Sequence, residues 1–148
     1  MRLSKLAVAS LAVAGMVLGA SLAVLAADAF HERHMAMEAV GDAMKPLGAI
    51  AKKQAPFEAA VVKASATTIA DNLKKASSLF PAGSGGGESK AKPEIWTDTA
   101  GFDKEMKEAH AAAVALQSVK DEAAFGPALG ALGAKCKSCH DMYRMPKQ

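Results

Sequence analysis

Phe125-Gly126-Pro127-Ala128-Leu129-Gly130-Ala131-Leu132-Gly133-Ala134-Lys135-Cys136-Lys137-Ser138-Cys139-His140-Asp141-Met142-Tyr143 is the stretch whose spacing settles the fold. Phe125, Leu129, Leu132, Cys136, Cys139 and Tyr143 follow one another by alternating fours and threes, which on an α-helix places them on one stripe. Three earlier stretches carry the same pattern. Met37, Val40, Met44 and Leu47 form the first stripe, extended backward by Arg33. Val62, Ala66, Ile69, Leu73, Ala76 and Phe80 form the second, and Phe102, Met106, Ala109, Ala113 and Leu116 the third. Helices with such stripes bury them by packing side by side in a bundle.

The punctuation agrees with four helices. Pro46 is expected to kink or end the first, and Pro56 suits the opening turn of the second. Asp98 or Thr99 is the expected N-cap of the third; the fourth starts near Asp121 and stops before Pro146. Only Lys52-Lys53-Gln54-Ala55 joins the first two, and the last two meet tightly near Lys120. Between the second and third lies a polar, glycine-rich segment from Pro81 to Pro93, long enough to cross one end of a bundle. The expected fold is all-α, an up-down-up-down antiparallel four-helix bundle. Composition supports it: 51% of residues are hydrophobic but only 5% aromatic, with alanine abundant, and strand-forming residues are few.

The N-terminus reads as an address. Met1-Arg2-Leu3-Ser4-Lys5 is positive, an apolar run continues from Leu6 to Ala27, and Val24-Leu25-Ala26 suits a signal peptidase cut. The expected arrangement is a signal peptide over 1–26 and one domain over 27–148, exported to the periplasm. An uncleaved anchor is the alternative, since about 20 apolar residues also span a bilayer. Without Arg2 and Lys5 the formal charge falls from +3 to +1. That gives no reason to propose nucleic acid as a partner.

Export normally invites disulfides, yet the two cysteines, Cys136 and Cys139, sit in a C-x-x-C-H string with His140. On a helix they lie one turn apart and His140 follows directly, so all three project to one side. Two thiols so placed reach the two vinyl groups of one porphyrin edge, and the histidine turns to the iron as axial ligand. The expected cofactor is therefore covalent haem c. A thioredoxin-like dithiol favours a helix N-terminus, and this pair lies late in its helix with no βαβ pattern around it. A zinc site needs further ligands; nothing in the spacing of His31, His34 and His110 supplies them.

With these features the chain resembles cytochrome c′, the class II c-type cytochromes, whose haem motif lies late in a helical bundle. The likeness spans essentially the whole domain. It includes Arg33 with Met37 four residues on, Gln54-Ala55-Pro56-Phe57 before the second helix, Pro93-Glu94-Ile95-Trp96 before the third, and Tyr143-Arg144 after the histidine. The resemblance implies that His140 is the fifth iron ligand and that Arg144 lies beside it. Arg33 would sit near a haem propionate and Met37 would cover the distal face. It further implies a five-coordinate iron that takes nitric oxide or carbon monoxide, one-electron redox activity, no enzymatic role, and a homodimer built on the first two helices. In low-spin relatives of this fold a methionine at the Met37 position binds the iron as sixth ligand, giving a dedicated electron carrier. Residue identity leaves both states open, because the thioether is a competent ligand in either.

Other candidates have plainer readings. Met35, Met44, Met106, Met142 and Met145 are read as adaptable filler, and His31 and His34 as exposed. Lys135, Lys137, Arg144 and Lys147 form a basic rim that either steers an acidic redox partner or complements the helix dipole. Trp96 is expected to anchor the long loop.

Overall fold

A computed structural model describes residues 9–146, with side chains from Leu25 onward. The expected signal segment, residues 1–26, lies almost wholly outside those side chains, and Lys147 lies outside the described residues. Five helices follow in order: α1 (Ala9–Ala51), α2 (Ala59–Ser77), α3 (Glu94–Thr97), α4 (Thr99–Gln117) and α5 (Glu122–Tyr143). The four long ones form the expected bundle. Lys53, between α1 and α2, pairs with Glu122 at the start of α5, so both turns share one end. At the other end Asp98, before α4, meets Tyr143 at the close of α5. From Leu25 onward no helix is long and apolar enough to cross a membrane.

The stripes meet in one core, whose fully buried side chains include Leu47, Val62, Ile69, Leu116 and Leu132. All five expected residues of α4 are buried, as are the five that lie within α2. On α1 the buried stripe is Ala29, Arg33, Ala36, Val40, Leu47 and Ile50, leaving Met37 and Met44 at its half-buried margin. On α5, Leu129 and Cys136 are likewise half-buried. The reason lies in the packing order. α1 packs on α2, α2 on α4 and α4 on α5, but α5 barely touches α1. One side of the square stays open.

Two boundaries differ from expectation. Pro46 does not end α1, which runs on to Ala51; proline removes one donor, and burial of Leu47 and Ile50 outweighs that loss. The stop comes from Lys53 at φ 59°, with Lys53 N donating to Ile50 O (3.0 Å) and Gln54 N to Ala49 O (2.9 Å), a Schellman closure. α2 opens after Glu58 rather than at Pro56. The extended chain before it lets Phe57 pack edge-on against Phe125, with ring centres 5.8 Å apart.

Glycines on α4 and α5 separate two roles. A Cβ on Gly101 would fall on Asp98 Oδ2 and 2.5 Å from the Tyr143 hydroxyl, whereas one on exposed Gly130 would meet nothing. Gly101→Ala is therefore expected to destabilise by about 1–3 kcal/mol through overpacking. Gly130→Ala is expected to stabilise by about 0.5–1 kcal/mol through helix propensity. Denaturant titrations of the two variants check this; a loss at both positions contradicts it.

Candidate functional site

The end of α5 carries the motif. Asp121 caps the helix, accepting from Ala124 N at 2.9 Å, and the register it sets runs unbroken to Tyr143. Cys139 is buried, Cys136 half-buried one turn earlier, and His140 exposed beside them. Burial pushes the Cys136 thiol up; burial and then the charge of Glu105 push Cys139 up to about 11. Such thiols hold their protons at neutral pH, the opposite of what a redox dithiol or thiolate metal site uses. His140 is shifted down, first by desolvation and then by the charge of Arg144, with Asp141 opposing. Both causes favour the neutral imidazole, the form with a free lone pair. Arg144 is thus close to His140, itself exposed, and its N–H closes the helix on His140 O at 3.1 Å.

α1 carries Met37, half-buried against the core, and one turn before it the buried Arg33. The Arg33 guanidinium reaches back into the long loop. Nη1 donates to Leu79 O (3.1 Å) and Ser84 Oγ (2.8 Å), and Nη2 to Ser89 Oγ (2.8 Å) and Ser84 O. The same group lies over Phe80 at 4.9 Å and Phe30 at 5.3 Å. Among the described residues no carboxylate pairs with it. Burial lowers its pKa, but an arginine at that depth stays charged.

Nothing in the sequence singled out Ser84 or Ser89, because serines in a glycine-rich stretch read as linker. A buried cation on the first stripe was the available signal: it demanded acceptors from somewhere. The far half of the loop returns to α5. Lys92 N donates to Tyr143 O (3.0 Å) and Met145 N to Lys90 O (2.7 Å), a single antiparallel bridge at Ala91 and Arg144. Trp96 anchors the segment as expected, its indole donating to Phe80 O and Pro81 O, each at 3.1 Å. Of the basic rim, Lys135 is taken up by Glu108 and Lys137 by Asp141, so much of its charge is neutralised. His31 and His34 are exposed; His110 is half-buried on α4.

These features fit a haem c. The stripe residues left half-buried in the helices, Met37, Met44, Leu129 and Cys136, all belong to the two helices that do not close on each other. The thiols are free and one turn apart. Arg33 is a buried cation without an anion, the complement of a propionate.

A family model described as Cytochrome C' matches residues 28–144. A cytochrome c′ of Rhodopseudomonas palustris is 43% identical over 138 residues, covering 91% of this chain and 94% of that protein. A cytochrome c-556 of Agrobacterium fabrum is 39% identical over 127 residues, covering 84% and 86%. The crystal structure of cytochrome c′ from Rhodopseudomonas palustris superposes with a TM-score of 0.78 at 42% identity, covering 82% of this chain and 98% of that one. A nitric oxide complex of a cytochrome c prime variant from Alcaligenes xylosoxidans reaches 0.74 at 31% identity, covering 82% and 97%.

The contact between Tyr143 and Asp98 is open to a pH test. The hydroxyl donates to Asp98 Oδ2 at 2.7 Å, and this bond, with burial and the Asp98 charge, pushes the phenol up to about 12. A raised pKa means the folded state holds the proton more tightly than the unfolded one. Its contribution is complete below about pH 10 and disappears as pH rises toward about 12. Tyr143→Phe is expected to flatten the fall in unfolding free energy over that window. An identical fall in both proteins contradicts the assignment.

Proposed function

This chain belongs to the cytochrome c′ family and carries covalent haem c, and from that premise we propose a periplasmic protein that binds nitric oxide or carbon monoxide at a five-coordinate iron. The family is a class of haem electron carriers, so one-electron transfer accompanies the gas binding. Held by the residues of the C-x-x-C-H string, haem c would supply a single-electron couple and an iron able to take a small ligand. Cys136 and Cys139 hold it by thioethers, and His140 gives its neutral nitrogen as fifth ligand. Arg144 disfavours protonation of that ring, and Arg33 lies toward a propionate. All four Nη protons of Arg33 are already used by Leu79, Ser84 and Ser89, which leaves Nε–H as its spare donor.

The observation that carries the reading is the apolar character of the α1 face. Ala36, Met37, Val40 and Met44 offer no hydrogen-bond donor from their side chains, and the Nη donors of Arg33 are taken up by the loop. A neutral diatomic gas binds without a donor; oxygen activation and acid–base catalysis need one. No catalytic residue is assigned. Residues 1–26 are the signal peptide and the domain runs over 27–148. α1 and α2 pair two copies in a homodimer.

A second reading rests on the same side chain. Met37 carries its thioether on the open side, and relatives of this chain include proteins named cytochrome c-556. In this reading Met37 of this chain is the sixth ligand, and the protein is a low-spin carrier. Met37→Ala separates the two. With five-coordinate iron, the wild type is high-spin and the variant stays so, binding carbon monoxide about tenfold more tightly, or ~1.4 kcal/mol. A wild-type low-spin spectrum that turns high-spin in the variant overturns the gas-binding reading. His140→Ala is expected to keep the haem attached and alter the Soret band; an unchanged band contradicts the ligand assignment.

A further inference from the structure

Among the described residues one buried side-chain oxygen has no hydrogen-bond partner: Oε2 of Glu105. Its place follows from the rungs between α4 and α5. Phe102 packs on Tyr143 with ring centres 5.3 Å apart, and Glu108 Oε2 accepts from Lys135 Nζ at 2.6 Å. Glu105 lies one turn from both Phe102 and Glu108, and Cys139 lies one turn from both Lys135 and Tyr143. The antiparallel register therefore sets Glu105 opposite Cys139. The raised pKa values of Cys139 and Tyr143, to each of which the Glu105 charge contributes, agree with that placement.

Other acids nearby are satisfied. Glu108 is held by Lys135 and Lys104, Asp98 by Tyr143 and Gly101, and Asp141 by Lys137. An occluded carboxylate oxygen without a donor costs stability, so folding does not explain it. A nonpolar residue of similar size in that seam would avoid the cost. Its position against the haem-bearing cysteine offers a reason.

We propose that Glu105 sets the reduction potential of this protein: the negative charge of its carboxylate beside Cys139 favours ferric over ferrous iron. The step would be transfer of one electron from an external one-electron donor to ferric iron, leaving ferrous iron and the donor oxidised by one electron, with no bond made and no proton moved. Adding negative charge near an existing one is opposed by Coulomb repulsion, which weakly screened surroundings preserve. The proposal rests on haem attachment at Cys139.

The test uses the full haem-loaded protein and the variants Glu105→Gln, Glu105→Ala and Glu108→Gln. Glu108→Gln removes the same charge from the same helix, but from a residue paired with lysines at the surface. A pyridine haemochrome spectrum first verifies covalent haem in each. Midpoint potentials from spectroelectrochemistry are then compared at low and high salt, beside thermal unfolding. Glu105→Gln and Glu105→Ala are expected to shift the potential positive, by more than Glu108→Gln, with a difference that survives high salt. The melting temperature of Glu105→Gln is expected to hold or rise. Equal potentials in wild type and both Glu105 variants, with haem attached, overturn the proposal and leave the haem reading standing. A lowered melting temperature with an unmoved potential also overturns it, showing Glu105 to be structural. Wild type without covalent haem overturns both.

Discussion

Four helices arranged in a square have four seams, and here only three are closed by protein. α1 on α2, α2 on α4 and α4 on α5 each bury a complementary stripe; α5 and α1 do not meet in the same way. Apolar side chains at an unclosed seam are exposed surface that water solvates poorly, so the fold is complete only when something apolar fills it. Met37, Met44, Leu129 and Cys136 are the half-buried residues in question, and a porphyrin anchored at Cys136 and Cys139 is the right kind of filler. The seam that protein leaves unclosed is therefore where the proposed haem would fit, with the three closed seams on its other sides.

The long loop does more than connect α2 to α4. Arg33 draws Leu79, Ser84 and Ser89 onto α1, while Lys90 and Lys92 pair with the backbone after α5. The same stretch of chain therefore touches both walls of the open seam. A buried guanidinium costs a great deal to desolvate, and four acceptors with two aromatic faces offset that cost without neutralising its charge. A cation left unneutralised beside an apolar opening is a standing attraction for a carboxylate group. Glu105, on α4, carries a buried carboxylate oxygen without a hydrogen-bond partner among the described residues.

Much of this was legible in the residues. The stripes on α2 and α4 are buried position for position, because a helix packed on both sides has no choice of face. The helix starts at Asp98 or Thr99 and near Asp121 were readable from residue type, since short acceptors at helix starts are local chemistry, and the structure settles on Asp98 and Asp121 as the caps. Cys136, Cys139 and His140 could be grouped from spacing alone. Pro46 misled, because a local helix breaker was weighed without the burial of Leu47 and Ile50 beyond it. Ser84, Ser89 and Glu105 carried no signal at all, since what makes them notable is a partner, or a missing one, from a distant part of the chain.

By itself, then, the sequence determined the four long helices, their order and the covalent chemistry of the last one, all set by interactions within one or two turns, while the short α3 went unread. The tertiary structure decided which seam stays open, that Met37 is half-buried and not fully in the core, and that Arg33 spends its Nη donors on a loop. Those outcomes depend on how four helices share their faces. Residues far apart in the chain compete for the same buried volume, and no local pattern records which of them wins.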